Sequence, residues 1–153
     1  MASTARLQER IAAAIEAELR RFGLELERAV VKYLDDNEVN VTGTLRKRVT
    51  SEVKRVAGQI RLTVGVKLRY AIFVHEGTKP HWAPLDPLKR WVKKKLGISE
   101  PAEVEGVARR VRFKIAREGT EAQPFLLVPF KLYRDKIASG IAKRLQQEFG
   151  GGG

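Results

Sequence analysis

The sequence predicts an α+β fold, with a long N-terminal helix and a C-terminal helix packed on a small antiparallel sheet. Apolar residues recur every three or four positions over residues 4–36 and again after Pro129, as on one face of a helix. From Ile60 to Val66 apolar and polar residues instead alternate, which is typical of a half-buried strand. Two more helical patterns form a two-helix insertion between the last strand and the C-terminal helix.

The first helix is predicted over residues 4–36, capped by Ser3 or Thr4 and about 50 Å long. A domain of this size is narrower than that, so part of the apolar stripe is expected to meet a neighbouring subunit. The alternative is a helix that breaks near Gly23 and folds back. The stripe consists of Leu7, Ile11, Ile15, Leu19, Phe22, Leu26, Val30 and Tyr33.

Three strands are expected to form an antiparallel meander with one face free for a helix. They are Val49–Val56, then Ile60–Val66 after an Ala57-Gly58-Gln59 connection, and then Tyr70–Val74, which is rich in aromatic and β-branched residues. We expect Phe125, Phe130, Ile137 and Ile141 to pack on the sheet face that carries Ile60, Leu62 and Val64.

A loop stiffened by Pro80 and Pro84 precedes the predicted insertion. Asp86 and Pro87 are expected at the N-cap and first position of its first helix, which ends at Gly97. Residues 100–118 form its second helix, and Pro129 begins the last helix. The expected single domain, residues 1–149, comprises 1–40 (helix), 41–78 (turn and strands), 79–122 (loop and insertion) and 123–149 (C-terminal helix), before a disordered glycine tail at 150–153.

Composition indicates a globular, soluble domain that lacks several classes of site. The 153 residues are 43% hydrophobic, yet no apolar run approaches the roughly 18 residues of a membrane span, and no signal peptide is expected. Without cysteine, disulfides, thiolate zinc sites and cysteine nucleophiles are excluded. Few thermolabile residues beside abundant Arg, Lys and Glu suggest a heat-adapted source.

The charge is large and unevenly distributed. The chain has 30 Lys and Arg against 18 Asp and Glu, a net charge of +12. Residues 1–40 carry six basic and eight acidic side chains, whereas the rest carries 24 and ten. A basic body of this kind attracts polyanions or acidic protein surfaces.

No pattern predicts catalysis, a metal or another cofactor. His75 and His81 are the only histidines and lie in a Gly- and Pro-containing segment that lacks the helical spacing of a zinc protease. No nucleophile elbow, acid cluster or phosphate-binding glycine loop is present. Basic clusters at Arg46–Arg48, Lys93–Lys95 and Arg109–Lys114 are interpreted as solvated faces with loose affinity for polyanions, because aromatic residues for base stacking are few. Trp82 is expected either to anchor an interface or to fold back onto Trp91 or Leu85.

Three segments taken in order resemble the tail-completion, or head–tail joining, family of long-tailed bacteriophages. They are Val41–Arg46 (VTGTLR), Tyr70–Thr78 (YAIFVHEGT) and Gln123–Leu126 (QPFL), and the resemblance covers roughly residues 5–148. His75 departs from the family, which more often has an aliphatic or aromatic residue there, and the strong basic charge is a second departure. The motif positions are Thr42, Gly43, Leu45, Arg46, Tyr70, Ala71, Glu76, Gly77, Thr78, Pro124 and Phe125.

The motif residues suit structural roles. Gly43 permits a tight turn and Thr42 is placed to cap a short helical turn over 43–48. Tyr70 and Ala71 are expected on opposite faces of the sheet, and Gly77-Thr78 lets the third strand leave it sharply. Pro124 fixes the returning chain so that Phe125 fills the core under the sheet.

The resemblance implies a non-enzymatic virion subunit that forms a ring, six-fold, between the portal–connector complex and the tail tube. Its partners would be further copies of itself, connector or portal-side proteins, and the tail tube or terminator protein. It would reside at the head–tail junction of the virion, and in the host cytoplasm during assembly. The alternative is a basic, non-specific nucleic-acid-binding or packaging accessory protein, and weak contact with DNA is expected either way. No membrane partner is expected. Candidate interface residues are Leu19, Phe22, Leu26, Lys79, His81 and Trp82.

Overall fold

The computed structural model describes residues 2–39 and 43–151 and confirms the α+β class. Val41, Thr42 and the last two glycines of the predicted disordered tail lie outside the described residues. The elements in order are α1 (Ala2–Asp36), a 3₁₀ turn (Arg46–Arg48), β1 (Val49–Val56), β2 (Gln59–Val66), α2 (Ala71–Glu76), α3 (Leu85–Leu96), α4 (Pro101–Glu118) and α5 (Leu127–Phe149).

Helix α1 is continuous over 35 residues, so the alternative of a break near Gly23 is wrong. The helix already begins at Ala2, which places Ser3 and Thr4 inside its first turn and not at the cap. At Gly23 the helix passes close to the hairpin. A Cβ atom at this position would stand 2.8 Å from Ser51 Oγ and 3.1 Å from Leu62 Cδ1. The glycine therefore permits an approach that a side chain would prevent.

Strands β1 and β2 form an antiparallel hairpin that pairs Val49 with Val66 and Val56 with Gln59. The two loop residues, Ala57 and Gly58, both have positive φ, 48° and 76°. Positive φ at both loop positions is what a type I′ turn requires, and its twist matches that of the paired strands.

The predicted third strand, Tyr70–Val74, is wrong. Residues 71–76 form the short helix α2, in which Tyr70 is the N-cap and Ala71 is buried. Ala71 N donates to Leu68 O and Val74 N donates to Tyr70 O, so helical hydrogen bonds replace the expected ladder. Strand propensity is a weak preference that packing overrides. Tyr70 and Ala71 consequently cannot occupy opposite faces of a sheet.

Two helix starts differ from prediction by one or two residues. Helix α3 begins at Leu85 with Pro84 at the N-cap, so Asp86 lies in the first turn. Helix α5 begins at Leu127, two residues before Pro129. Pro87 and Pro129 are each the third residue of their helix. The first four N–H groups of a helix have no intrahelical acceptor, so proline is tolerated there.

The chain divides into two compact units, and the single-domain prediction stays a prediction. The first unit comprises Met1–Tyr33, Val49–Val66 and Leu126–Gly153, and the second comprises Leu34–Arg48 and Lys67–Phe125. The buried apolar residues of the first unit include Ala14, Leu19, Phe22, Leu26, Val30 and Val49. Those of the second unit are Leu34, Leu45, Ala71, Ala83, Val92, Val104, Ala108 and Phe125.

Of the four residues predicted to pack the C-terminal helix on the sheet, Phe130 is exposed and the prediction is wrong for it, whereas for the other three it stays a prediction. Phe125 belongs to the second unit and not to the unit that contains the sheet. Phe130 is 48% exposed, so it does not fill a core. Ile137 and Ile141 are half-buried, as are Ile60, Leu62 and Val64 on the predicted sheet face. Helix α5 passes close to α1 at Gly140, where an added Cβ would stand 2.6 Å from the ring of Phe22.

Two helical glycines are expected to respond to alanine with opposite signs. Gly106→Ala should stabilise the protein by about 0.5–1 kcal/mol, because alanine is the better helix former and the nearest atom is 4.0 Å away. Gly140→Ala should instead destabilise it, since the new methyl group would collide with the buried ring of Phe22. Urea denaturation of both variants measures the difference, and a stabilising Gly140→Ala would contradict this packing of α5 on α1.

Candidate interaction surface

Two identical tripeptides, Glu76–Thr78 and Glu118–Thr120, pair with each other in the second unit. Thr78 N donates to Thr120 O and Thr120 N donates to Thr78 O, each at 3.1 Å. The two threonine hydroxyls also hydrogen-bond at 2.9 Å. We call this reciprocal pairing the Thr clasp. The repeat looks too short in sequence to mark internal similarity, yet its two copies meet in space.

The glycine of each tripeptide is required by the geometry of the clasp. Gly77 has φ 72° and ψ −178°, and Gly119 has φ 76° and ψ −156°. Essentially only glycine adopts this region of backbone space. A Cβ on Gly119 would stand 2.0 Å from Thr78 O, and one on Gly77 would stand 2.5 Å from Thr120 O. Gly77 thus ends α2 and leaves room for the segment that follows α4. It does not mark the end of a strand, as was predicted.

The second and third motif segments meet beside the clasp. Gln123 N donates to Val74 O at 2.9 Å, immediately before Pro124 and Phe125. The Phe125 side chain is fully buried, and its ring meets the His75 ring edge-to-face at 5.3 Å between centroids. An edge-to-face contact of this kind favours an aromatic ring at position 75. His75, which departs from the family pattern, therefore has a packing role.

The first motif segment is described from Gly43 onward. Leu45 is buried, and its carbonyl accepts from Arg48 N at 3.1 Å to close the 3₁₀ turn. Arg46 forms an ion pair with Asp35 at 3.3 Å. Gly43 has φ +73°, consistent with the expected turn, whereas the predicted capping role of Thr42 lies outside the described residues.

The structure separates the six candidate interface residues into two groups. Leu19, Phe22 and Leu26 are buried in the single chain, so the chain leaves little of their surface for a neighbouring subunit, and their assignment to an intersubunit contact stays a prediction. Their apolar stripe is covered by the chain itself. Lys79, His81 and Trp82 are all exposed, on the loop of the second unit.

Trp82 packs against two residues of α4, Phe113 and Arg112. Its ring meets that of Phe113 edge-to-face at 5.2 Å, and the Arg112 guanidinium lies 5.1 Å from the Trp82 ring centroid. Trp82 and Phe113 nevertheless remain 59% and 65% exposed. We call Trp82, Phe113 and Arg112 the aromatic platform. An exposed Trp beside an exposed Phe and an Arg has the composition of an interface hot spot.

Ion pairs within the chain neutralise part of its charge. The charge that remains available to a partner therefore differs from the distribution along the sequence. The Arg55 guanidinium hydrogen-bonds both oxygens of Glu9, at 2.8 and 2.9 Å, and lowers the pKa of that carboxyl. Lys95 likewise lowers the pKa of Glu38. Six of the eight acids of the first 40 residues pair with a cation: Arg55 contacts Glu9 and Glu16, Arg21 contacts Glu18 and Glu25, Arg46 contacts Asp35, and Lys95 contacts Glu38. Of the other two, Glu27 accepts a hydrogen bond from the uncharged Ser51 hydroxyl, and Asp36 has a further polar or electrostatic interaction.

Basic side chains on the two-helix insertion are left without such partners. Within the described ranges, Arg90, Lys93, Lys94 and Arg110 form no ion pair. Arg112 also forms no ion pair with any residue whose position is described. The positive surplus of the chain is therefore open to an outside anion on this insertion.

Other kinds of site have no support among the residues placed by the structure. Residues 2–39 and 43–151 contain no group of three His, Asp or Glu side chains arranged to hold a metal ion. None of the helices described has both the length and the apolar character to cross a bilayer.

Sequence reasoning overlooked Phe113, which completes the platform. The available signal was its position off the apolar stripe of α4, which runs through Val104, Ala108 and Ile115. A large apolar residue on the polar side of a helix has either a partner elsewhere in the chain or an external one.

Comparison with protein-family models, with curated proteins and with solved structures finds no match to this chain.

Proposed function

We propose that this chain is a structural subunit of a tailed-phage virion that forms a ring at the head–tail junction and joins the connector to the tail tube. The observation that carries the proposal is the meeting of two motif segments that are far apart in sequence. Residues 70–78 and 123–126 share the Gln123–Val74 hydrogen bond and the His75–Phe125 ring contact. Two of the three short motifs that carry the resemblance therefore pack against each other in the folded chain.

The motif residues whose positions are described support a structural and non-enzymatic role, because several of them have a place in packing or in backbone geometry. Ala71 and Phe125 are buried, Leu45 is buried in the turn, and Gly77 with Thr78 forms half of the Thr clasp. A catalytic role would instead require several of these positions to present nucleophiles, bases or metal ligands to one cleft.

Assembly into a ring requires one patch to bind a different patch on the next copy. Exposed large apolar side chains supply candidate surfaces, since burial of apolar area holds such contacts together. On the second unit they are Tyr70, Ile72, Phe73, Trp82, Leu96 and Phe113, and on α5 they are Leu127, Val128, Phe130 and Leu132. The further partners in this proposal are connector or portal-side proteins and the tail tube or terminator protein. The chain would bind them while the virion assembles in the host cytoplasm.

Inactivation of the gene in its phage tests this function. We expect DNA-filled heads and completed tails to accumulate unjoined, and supply of the wild-type chain in trans to restore joined particles. Normal yields of joined, infectious virions from the inactivated phage would contradict the proposal.

The unpaired cations of the insertion favour a second candidate function, a basic nucleic-acid-binding or packaging accessory protein. Without an evident base-reading element, we expect duplex DNA to bind weakly, without sequence preference, and with an affinity that falls steeply as salt rises. Fluorescence anisotropy with random and selected duplexes over a salt series measures this. A preference for one sequence of roughly a thousand-fold or more at physiological salt would overturn the expectation.

A further inference from the structure

We propose that the two-helix insertion is a docking module whose aromatic platform binds an acidic segment of another protein that carries an apolar side chain. The module is residues 79–119, which lie between Thr78 and Thr120, the two threonines of the Thr clasp. The inference concerns the chemistry of the partner and does not depend on where in the cell or virion this chain works.

The module has its own core and closed ends. Val92 of α3 packs with Val104 and Ala108 of α4, and these are surrounded by Leu85, Leu88, Trp91, Ile98 and Val107. The Thr clasp brings the two ends of the module together through paired backbone hydrogen bonds. A surface carried by such a closed unit is held rigidly, and a rigid surface loses little conformational entropy when it binds.

The loop that carries Trp82 is held on both sides of the indole. On one side, His81 N donates to Ile115 O at 3.4 Å and the His81 ring hydrogen-bonds Lys79 O at 2.9 Å. On the other side Ala83 is buried. Trp82 therefore presents a fixed, exposed ring, which is the property expected of an anchor residue at an interface.

Charge around the platform specifies an anionic partner. On α4, Phe113 is flanked one turn away by Arg109, Arg110 and Arg117 and adjoins Arg112 and Lys114, and Glu118 is the one acid in residues 109–118. Arg109 and Arg117 are already paired with glutamates, whereas Arg110 and Arg112 form no ion pair among the residues described. An arginine guanidinium without an ion-pair partner can offer two N–H donors to an incoming carboxylate.

The acids in the first 40 residues of a second copy are the less favoured source of this anion. All eight acids there have partners within the same molecule, so transferring them to a neighbouring copy would break existing contacts. The charge distribution of the sequence suggests that the acidic N-terminal segment of one copy docks on the basic region of the next. Because that docking would break these contacts, an acidic segment of a different protein is the favoured partner.

The ring geometry favours a protein segment over single-stranded nucleic acid. Base stacking needs open, parallel aromatic faces, whereas the planes of Trp82 and Phe113 cross at 74°. Arg112 already lies over the Trp82 ring. Crossed exposed rings with a cation beside them offer apolar surface next to positive charge, which suits an apolar side chain flanked by carboxylates.

Selection from a random 12-residue peptide library displayed on yeast, against the full-length chain at physiological salt, tests the proposal. We expect the selected peptides to place Asp or Glu beside Trp, Phe or Leu. Synthetic copies should lose roughly tenfold or more in affinity against Trp82→Ala or Phe113→Ala and several-fold against Arg112→Gln. Trp82 and Phe113 are exposed, whereas Arg112 is half-buried with its Nε atom enclosed, and circular dichroism verifies that each variant is folded.

Phe130→Ala and Lys131→Gln are the matched controls, because they remove an exposed aromatic ring and an exposed cation from α5. Both should bind the peptides as the wild-type chain does. The proposal is overturned if the selected peptides lack an acidic–apolar pattern or bind Trp82→Ala within twofold of wild type. It is also overturned, in favour of nucleic acid, if 15-nucleotide oligothymidylate binds more tightly than the best peptide and loses that affinity in Trp82→Ala.

Discussion

Phe125→Ala is expected to lower the free energy of unfolding by about 3–5 kcal/mol. The Phe125 side chain is fully buried in the second unit, where its ring packs edge-to-face on His75. Truncation leaves a cavity between the segments joined by the Gln123–Val74 hydrogen bond, and it also removes the ring contact. Urea denaturation followed by circular dichroism measures the loss, as a shift of the transition midpoint.

Phe73→Ala is the control, since it removes the same side chain from the neighbouring helix α2. Phe73 is 59% exposed and is not part of an aromatic pair, so its loss should change stability by no more than about 0.5 kcal/mol. Equal effects of the two substitutions would mean that Phe125 does not hold the junction of the motif segments.

Gly119→Ala is expected to destabilise the second unit by about 3–5 kcal/mol. The backbone region that Gly119 occupies costs any other residue about 1–3 kcal/mol. The new Cβ would also meet Thr78 O at 2.0 Å, so the paired Thr78–Thr120 hydrogen bonds would have to break, at about 1 kcal/mol each. Denaturation measures the total, and faster amide exchange at Thr78 and Thr120 localises it to the clasp.

Gly97→Ala separates the effect of the clasp from the ordinary cost of a left-handed residue. Gly97 ends α3 with φ 67° and ψ 14°, and no atom lies within 4 Å of an added Cβ. Its substitution should cost about 1–2 kcal/mol. If Gly119→Ala were no more destabilising than Gly97→Ala, the close approach of the two segments at the clasp would be wrong.

Long periodic patterns predicted most of the fold. The stripe of α1, the alternation of β2 and the helical spacings of α3 to α5 each extend over many residues, so the correct period outweighs local exceptions. The segment Tyr70–Val74 is only five residues long, and its aromatic and β-branched residues gave a strand signal. The short helix observed there is supported by contacts that come from elsewhere in the chain, such as Gln123 on Val74.

Surface features were harder to predict than the fold, because they depend on residues distant in sequence. The charge imbalance of the first 40 residues is visible in the sequence, but its neutralisation by Arg55, Arg46 and Lys95 is visible only in the folded chain. The burial of Leu19, Phe22 and Leu26 likewise depends on what covers the helix. Trp82 was identified from its stiff loop, whereas its partners on α4 follow from how that loop returns to the helix.

Imaging of purified virions by cryo-electron microscopy, with this subunit identified by a specific label, tests the central claim most directly. The account predicts one closed ring of this chain per particle, located at the junction between the head and the tail. Absence of the chain from purified virions, or scattered copies inside the capsid with the DNA, would contradict the structural role and favour the accessory-protein alternative.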